Sequence, residues 1–236
     1  MRVQRAIVLA GGKGTRLAPY TTVLPKPLMP IGDMPILEVL IRQLRKAGVL
    51  RITLAVGHLS SIMMAYFGNG SSFGVDITYS HEEKPLGTAG PLSLLAPPEE
   101  PFMVMNGDLL TDLDFVRMAE THERSGSIAT IGLYRRDVKI DLGVIVADDA
   151  GKVTDYIEKP VYSYLVSMGM YVFDPAVLAS IPRDERFDLP DLIRALIASG
   201  QSVASYLHEG YWLDIGRPDD YQRAQLEFEA LRDRIL

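Results

Sequence analysis

The stretch Leu9-Ala10-Gly11-Gly12-Lys13-Gly14-Thr15-Arg16-Leu17, followed by Leu24-Pro25-Lys26-Pro27, decides how this chain is interpreted. It follows an apolar run at positions 6–10, which predicts a buried strand. Its glycines carry no side-chain bulk, so several backbone N–H groups of the turn can point at one anion. The stretch also carries three cations within fourteen residues, namely Lys13, Arg16 and Lys26. These features together predict a loop that binds a polyphosphate.

Two better-known glycine motifs do not fit this loop. The dinucleotide pattern G-x-G-x-x-G needs a third glycine where Leu17 stands. The P-loop pattern needs Gly-Lys-Ser/Thr to close the loop, and that triplet is missing after the glycines. On the glycines alone, an ordinary strand-to-helix turn with nearby surface charges is an equal alternative.

Composition and charge narrow the class of protein. The chain has 236 residues, 47% of them hydrophobic, which is enough for one large α/β domain or two small ones. It has no cysteine, which excludes disulfides and thiolate metal sites. The net charge of −6 argues against a nucleic-acid binder, although cations focused in one cleft can still bind phosphate. Without a long apolar run or a secretory signal, we expect a cytoplasmic protein that does not span a membrane.

Strands and helices alternate in the first half of the sequence. Apolar patterning predicts strands at 6–10, 51–56, 75–80 and 102–105, and helices at 34–47, 60–67 and 88–95. This alternation predicts a parallel sheet with helices on both faces. Ligands of such sheets bind beyond the carboxyl ends of the strands. The glycine loop and Asn106-Gly107-Asp108 should therefore share one rim.

The second half is richer in strands. Positions 127–134, 143–147, 153–157 and 166–173 are strand-like with few helices between them, and 189–198 and 219–236 are helical in pattern. We interpret this half as a mixed extension of the sheet that supplies a second substrate pocket.

The fuller string L-A-G-G-x-G-T-R-L-x-P-x-T, then P-K-P, resembles the signature of the sugar-1-phosphate nucleotidylyltransferases. The resemblance implies an α/β fold: a Rossmann-like three-layer sandwich with a mixed, mostly parallel sheet, the nucleotide-diphospho-sugar transferase fold. It implies a single nucleotidyltransferase domain over 1–236, with a nucleotide-binding part at about 1–110 and a sugar-phosphate-binding part at about 111–236. Some relatives continue into a left-handed β-helix, which we expect this chain to lack.

The resemblance also assigns roles to the loop. Arg16 is expected to hold and polarise the pyrophosphate leaving group, and Lys26 to lie at the phosphates of both substrates. These two are the predicted catalytic residues. The loop around the triphosphate supplies nucleotide-binding residues, which are Leu9, Gly11, Gly12, Gly14 and Thr15.

A second nucleotide-binding segment is predicted at 81–90. Its P-L-G-T-A-G string most resembles the mannose-1-phosphate guanylyltransferase branch of the family, in which this segment lines the base pocket. The expected binding residues are Glu82, Glu83, Pro85, Gly87 and Thr88. Guanine presents N–H donors on its pairing edge, so Glu82 or Glu83 could supply the acceptor. The alternative is an ordinary loop with an N-capped helix.

The sugar phosphate is assigned to a separate group of residues. The resemblance places Glu158 on the sugar hydroxyls, Lys159 at the sugar phosphate and the Gly143 backbone against the sugar. Asn106 and Ser167 belong to the same predicted site. Without the resemblance, Glu158-Lys159 would be a solvated surface pair. Relatives often have tyrosine at Leu142 and N-A-G at 167–169, so the identity of the sugar stays open.

Two aspartates are predicted to bind Mg²⁺. Asp108 lies in a G-D motif and Asp214 in a W-x-D-x-G motif, and family members use this pair for the metal. Mg²⁺ prefers one or two carboxylates together with phosphate oxygens and water. Taken singly, each aspartate could instead be a residue of a strand-end turn.

The reaction implied is NTP plus sugar 1-phosphate giving NDP-sugar plus pyrophosphate. GTP with mannose 1-phosphate, or with a related manno-configured sugar phosphate, is the expected pair. Two alternatives stay open: a uridylyl- or other nucleotidylyltransferase acting on a hexose or hexosamine 1-phosphate, and a non-catalytic regulatory subunit that binds an NDP-sugar. The expected partners are these small molecules, with neither nucleic acid nor membrane, and a homodimer is the assembly considered.

Overall fold

The structure, a computed structural model, describes residues 3–236. Over this range the helices are α1 (Ile36–Lys46), α2 (Ser60–Phe67), α3 (Phe115–Ser125), α4 (Leu189–Ala198) and α5 (Pro218–Ile235). The strands are β1 (Arg5–Leu9), β2 (Pro30–Ile31), β3 (Met34–Pro35), β4 (Arg51–Val56), β5 (Asp76–His81), β6 (Phe102–Asn106), β7 (Leu109–Thr111), β8 (Ala129–Lys139), β9 (Val144–Ala147), β10 (Val153–Ile157), β11 (Val161–Phe173), β12 (Val203–His208) and β13 (Trp212–Asp214).

The central sheet has seven strands within the described range, in the order β12-β8-β11-β6-β1-β4-β5. Strand β11 runs antiparallel to both of its neighbours, β6 and β8, and the other pairs are parallel. The expectation of a mixed, mostly parallel sheet is confirmed. Because β1, β4, β5 and β6 run the same way, their carboxyl ends lie along one edge of the sheet.

Apolar side chains cover both faces of this sheet. On one face, Leu40 and Leu44 of α1 and Phe67 of α2 pack with residues of β4 and β6. On the other face, Leu192 and Leu196 of α4 pack against Val104 of β6 and its neighbours. These side chains are essentially inaccessible to water, and such burial contributes about 1.5–3 kcal/mol for each large apolar side chain. The predicted three-layer sandwich is confirmed.

Helix α5 holds the ends of the short strands beside the rim. Phe228 of α5 is buried in a third apolar cluster that includes Leu110 of β7 and Leu213 of β13. Gln43 Nε2 donates hydrogen bonds to the carbonyls of Thr111 (2.6 Å) and Ile235 (2.9 Å). The β7–β13 pair is thereby fixed to α1 and α5. Strand β7 begins directly after Asp108, and β13 ends at Asp214, so both candidate metal ligands are held by this pair.

The second half forms an arm that extends beyond the sheet. Strand β12 pairs with β8 only as far as Tyr134, whereas the β8–β11 pairing continues to Lys139 and Val161. Strands β9 and β10 form a separate antiparallel pair between them. We call residues 135–166 the arm. Several of its large apolar side chains are more than half exposed, including Leu142, Val153, Tyr156, Tyr164 and Leu165.

One prediction about local structure was wrong in detail, and two elements were not predicted. The predicted helix at 88–95 is a short 3₁₀ helix, Gly90–Leu94, with Pro91 in its first turn. Helix α3 was not predicted, although Asp114 accepts the Arg117 N–H at its start and its buried side chains Phe115, Met118 and His122 have helical spacing. Strand β12 was also not predicted. No helix within residues 3–236 is long and apolar enough to cross a membrane.

Candidate active site

A cleft of about 880 Å³ opens at the carboxyl ends of β1, β4, β5 and β6. Its walls come from four segments, 9–16, 57–58, 82–88 and 106–108, together with Lys26 and Pro27. Every residue predicted to bind the nucleotide lines it, namely Leu9, Gly11, Gly12, Gly14, Thr15, Glu82, Glu83, Pro85, Gly87 and Thr88. Four further predicted site residues also line it, Arg16, Lys26, Asn106 and Asp108. The rim inferred from strand order therefore gathers the two predicted nucleotide-binding segments.

The glycine loop is held in one conformation. Ala10 N–H donates to the Ala55 carbonyl (2.8 Å), and the Thr21 hydroxyl donates to the Gly14 carbonyl (2.8 Å). Gly14 has a φ of 61°, the left-handed region that favours glycine, and a Cβ there would lie 3.0 Å from Thr21 Cγ2. A short 3₁₀ helix, Thr15–Leu17, follows and buries Leu17. This turn presents Arg16 to the cleft.

Glu82 is held beside the glycine loop. The Leu86 N–H donates to Glu82 Oε2 (3.0 Å), while a Cβ at Gly11 would lie only 2.6 Å from Glu82 Oε1. Gly57 is similarly close, since a Cβ there would lie 3.0 Å from the Gly11 carbonyl. Burial raises the pKa of the Glu82 carboxyl, and the Leu86 N–H opposes this shift. The result is a positioned acceptor beside the first glycine of the loop.

Asp108 and Asp214 lie together through the β7–β13 pair. Asp214 is opposite Leu109 in the register, and Ile215 N–H donates to the Asp108 carbonyl (3.1 Å). Burial raises the pKa of the Asp214 carboxyl, and the negative charge of Asp108 raises it further, whereas Lys26 and Arg16 lower it. The two predicted metal ligands and the two predicted catalytic cations therefore act on one another electrostatically.

The chemistry of this pair fits Mg²⁺. Lys26 Nζ contacts Asp108 Oδ2, and Asp108 Oδ1 is buried with no hydrogen-bond partner among residues 3–236. An unpaired buried carboxylate oxygen is a ligand that a hard cation prefers. Within the described part of the chain, no group of three or more His, Cys, Asp or Glu could hold a metal. A cation here would therefore complete its coordination with phosphate oxygens and water, as Mg²⁺ does.

Strand β11 passes close to Asn106. Gly169 has a φ of 70°, and a Cβ there would lie 2.6 Å from Asn106 Nδ2. The Ser167 hydroxyl accepts the Gly169 N–H (3.2 Å) and bonds the Tyr171 hydroxyl (3.0 Å). Gly169 thus lies beside Asn106, whereas Ser167 is outside the cleft lining and is already hydrogen-bonded within β11.

The remaining predicted sugar residues lie on the arm. Gly143, Glu158 and Lys159 do not line the cleft. Glu158 and Lys159 have exposed side chains, with Nζ and Oε1 3.9 Å apart. Gly143 is covered by the ring of Tyr156. The assignment of these residues to the sugar phosphate stays a prediction, as do the individual roles of the residues that line the cleft.

Several residues that line the cleft had no role predicted from the sequence, which are Ala10, Lys13, Pro27, Gly57, His58, Lys84 and Gly107. Gly57 and His58 come directly after β4, so the rule that ligands bind beyond strand ends could have identified them. Lys13 had been noted only as one of the loop's cations. Lys84 lies between residues that had been assigned.

The layers, the strand order and this rim together define the nucleotide-diphospho-sugar transferase fold. A solved structure of HddC from Yersinia pseudotuberculosis superposes with a TM-score of 0.74 at 25% identity, covering 96% of this chain and 100% of that one. The nucleotidyl transferase family model matches residues 5–230. The chain belongs to this family.

Two curated relatives have nearly the same sequence identity to this chain but differ in the nucleotide and the sugar phosphate that their names give. A UTP–glucose-1-phosphate uridylyltransferase from Synechocystis is 37% identical over 93% of this chain. The mannose-1-phosphate guanylyltransferase catalytic subunit beta from Danio rerio is 36% identical over 92% of it. The chain spans 62% of the length of each. Overall similarity therefore does not separate guanylyl from uridylyl transfer.

Proposed function

We propose that the protein joins an NTP to a sugar 1-phosphate, giving an NDP-sugar and pyrophosphate. The observation that carries the proposal is the cleft itself. In it, a glycine loop with Arg16 and Lys26 faces Asp108, and Asp214 lies beside Asp108. Binding of a polyphosphate requires such cations, and a metal requires such carboxylates. Membership of the nucleotidyl transferase family supports the same reaction.

The proposed reaction needs alignment and charge neutralisation more than proton transfer. A phosphate oxygen of the sugar 1-phosphate attacks the α-phosphorus, and the bond to the bridging oxygen of the pyrophosphate breaks. The second pKa of a phosphate monoester is about 6, so the nucleophile is largely ionised at pH 7 and no general base is required. Lys26 holds the two reacting phosphates together and Arg16 stabilises the leaving pyrophosphate. Mg²⁺ held by Asp108 and Asp214 would add charge neutralisation.

For the base we propose guanine, read by Glu82. Between the two candidate glutamates, Glu82 is the one whose carboxylate is oriented by a backbone N–H beside Gly11. A carboxylate can accept both N1–H and N2–H of guanine. Uracil offers one N–H between two carbonyls, which would repel the second carboxylate oxygen.

Mannose 1-phosphate, or a related manno-configured phosphate, is the proposed acceptor, and Asn106, Gly143, Glu158, Lys159 and Ser167 are the proposed residues around it.

A uridylyltransferase acting on a hexose or hexosamine phosphate is the second candidate. The similarity to the Synechocystis enzyme supports it to nearly the same degree. The choice between the two candidates therefore rests on Glu82. The third possibility, a regulatory subunit that binds an NDP-sugar, is opposed by the presence of Arg16, Lys26, Asp108 and Asp214 in one site.

The test is pyrophosphate release by the purified protein across GTP, UTP, dTTP and ATP, each combined with mannose, glucose and hexosamine 1-phosphates. We expect GTP to give the highest kcat/KM, with discrimination up to about 10⁴-fold against bases that leave polar groups unpaired. Glu82→Gln should lower this preference and Glu83→Gln should not. UTP or dTTP equalling GTP would reject guanine, and inactivity across all combinations would favour the regulatory subunit.

A further inference from the structure

The start of α4 is hydrogen-bonded to the segment that carries Glu82, although about 100 positions separate them. We call residues 82–88 the base loop. The Phe187 N–H donates to the Leu86 carbonyl (2.9 Å), and the Phe187 carbonyl accepts the N–H groups of Ala89 and Gly90 (2.9 Å each). Three backbone hydrogen bonds therefore hold the end of the base loop against the residues that precede α4.

At this contact, the side chain of Asp188 bonds the base loop, and the side chain of Thr88 from the base loop bonds the start of α4. Asp188 occupies the N-cap position of α4, yet its carboxylate makes no hydrogen bond to its own helix. Asp188 Oδ1 instead accepts the N–H of Thr88 (2.9 Å) and the Thr88 hydroxyl (3.2 Å). The Thr88 hydroxyl in turn accepts the Leu189 N–H at the start of α4 (2.8 Å). An N-cap residue ordinarily serves its own helix. Here Thr88 accepts the hydrogen bond from the start of α4, and Asp188 accepts hydrogen bonds from the base loop.

Gly87 permits this close approach. Its φ is 79°, and a Cβ there would lie 2.6 Å from Asp188 Oδ1 and 2.7 Å from the Phe187 carbonyl. A larger residue would have to displace either the carboxylate or the backbone. The base loop and the start of α4 therefore fit together in one arrangement.

The contact reaches Glu82 through the backbone of Leu86. The Leu86 N–H donates to Glu82 Oε2 and the Leu86 carbonyl accepts from Phe187, so both polar groups of this residue are engaged. Asp188 does not line the cleft. It can therefore act on the nucleotide only through the base loop, which carries Glu82 and whose Thr88 it contacts.

We propose that Asp188 is a positioning residue for base selection, which holds the base loop so that the Glu82 carboxylate meets the pairing edge of the base. This inference rests on the proposed function, since it needs a nucleotide base in the cleft. A purely structural role for Asp188, as a stabiliser of α4, would change all kinetic parameters and the melting temperature together.

The test compares Asp188→Ala, Asp188→Asn and the control Asp191→Ala. Asp191 lies in the first turn of the same helix and pairs with Arg194 (2.9 Å) at an exposed position. For Asp188→Ala we expect the KM for GTP to rise about tenfold, the effect expected if the displaced Glu82 carboxylate loses one charge-assisted hydrogen bond to the base. The GTP/UTP preference in kcat/KM should fall by a similar factor, with kcat and the KM for the sugar phosphate unchanged. Asp188→Asn keeps an acceptor oxygen and should restore most of the preference.

An unchanged GTP/UTP preference in Asp188→Ala would overturn the proposal, and so would a parallel rise of both substrates' KM values with a lowered Tm. Calorimetric binding of GTP and UTP separates this inference from the proposed reaction. If wild type releases no pyrophosphate but binds GTP better than UTP, and Asp188→Ala loses that difference, only the proposed reaction fails. If wild type binds no nucleotide, both fail.

Discussion

Burial raises the pKa of Asp214, and the carboxylate of Asp108, 106 positions earlier in the chain, raises it further. The two are brought together by the register of β7 and β13, and Lys26 and Arg16 offset part of their repulsion. Such a pair of partly buried like charges is costly to keep without a cation. Its presence at the rim of the cleft leads to the first prediction.

Replacing either aspartate should slow the proposed reaction, whereas the effect on stability should differ between the two. A Mg²⁺ ion bound by the two aspartates would contribute several kcal/mol to neutralising phosphate charge, and a loss of about 3 kcal/mol reduces the rate about 10²-fold. We therefore expect Asp108→Ala and Asp214→Ala each to lower kcat at least about 10²-fold. The melting temperature of Asp214→Ala should stay near or above that of wild type, because this change removes one of two adjacent negative charges. Asp108→Ala should lower the melting temperature, because the buried Lys26 ammonium loses its carboxylate partner.

The double variant tests whether the aspartates act through one ion. It should be less impaired than the product of the two single effects, since the second change removes an ion that is already lost. EDTA should abolish wild-type activity and Mg²⁺ should restore it. Full activity of either single variant, or wild-type turnover in excess EDTA, would contradict the metal site.

Gly11 and Gly12 form a matched pair for testing how tightly the cleft is packed. A Cβ at Gly11 would lie 2.6 Å from Glu82 Oε1, whereas a Cβ at Gly12 would meet nothing within 4 Å. Gly11→Ala should destabilise the protein by about 1 kcal/mol, because the contacting Glu82 oxygen is the end of a flexible side chain and can move aside. Gly12→Ala should change the free energy of unfolding by less than about 0.5 kcal/mol. Urea denaturation measures both, and equal effects would mean that the Glu82 carboxylate is not held against Gly11.

Glu158→Gln should weaken binding of the sugar 1-phosphate. A carboxylate that accepts hydroxyl hydrogen bonds loses about 1.5–3 kcal/mol when one such charge-assisted bond is lost, which raises KM about 10- to 100-fold. The KM for the NTP should not change. Asp149→Asn, an exposed charge change on the same arm, is the control. An unchanged sugar-phosphate KM in Glu158→Gln would identify Glu158-Lys159 as a solvated surface pair.

His122 should make stability depend on pH. The side chain is buried on α3 with Nδ1 2.9 Å from the Thr130 hydroxyl, and burial lowers its pKa below 6.5, although Asp174 opposes the shift. The unfolded chain therefore binds a proton that the folded chain excludes. The free energy of unfolding is therefore unaffected by this histidine above about pH 6.5. It decreases as the pH falls from the pKa of His122 in the unfolded chain, about 6.5, towards its lowered pKa in the folded chain.

Urea denaturation between pH 7.5 and 5 measures this dependence. His122→Gln should reduce the loss of stability at the acidic end, whereas His81→Gln, at an exposed histidine, should leave it unchanged. An identical pH dependence in wild type and His122→Gln would show that His122 does not carry the effect.

Local sequence patterns were enough to predict the first strand, the glycine loop after it and the parallel strands of the first half. The apolar run at 6–10 and the glycines after it predicted β1 and its loop, and the alternation that follows predicted the parallel strands. Because carboxyl ends of parallel strands share a rim, Asp108 could be placed near the glycine loop from the sequence. The family resemblance supplied the pairing of Asp108 with Asp214, which no local pattern indicates.

Features that depend on contacts between distant parts of the chain could not be predicted from the sequence. Thr88 is a turn residue by its local sequence, and only the fold shows that it serves α4 while Asp188 serves the base loop. A short 3₁₀ helix replaces the helix predicted at 88–95, and the Phe187 carbonyl, far along the chain, accepts the N–H groups of Ala89 and Gly90 at its start. The exposure of Glu158 likewise follows from the arm projecting beyond the sheet, which strand-like patterning does not reveal.

The position of β6 also constrains the order in which the molecule can assemble during synthesis. This strand is buried almost throughout, and its second neighbour, β11, pairs with it through residues 170–173. A nascent chain, or a fragment cut at residue 110, would leave one apolar edge of β6 unpaired and prone to aggregation. The phosphate loop is therefore translated first but can face the completed aspartate pair only after Asp214 has left the ribosome.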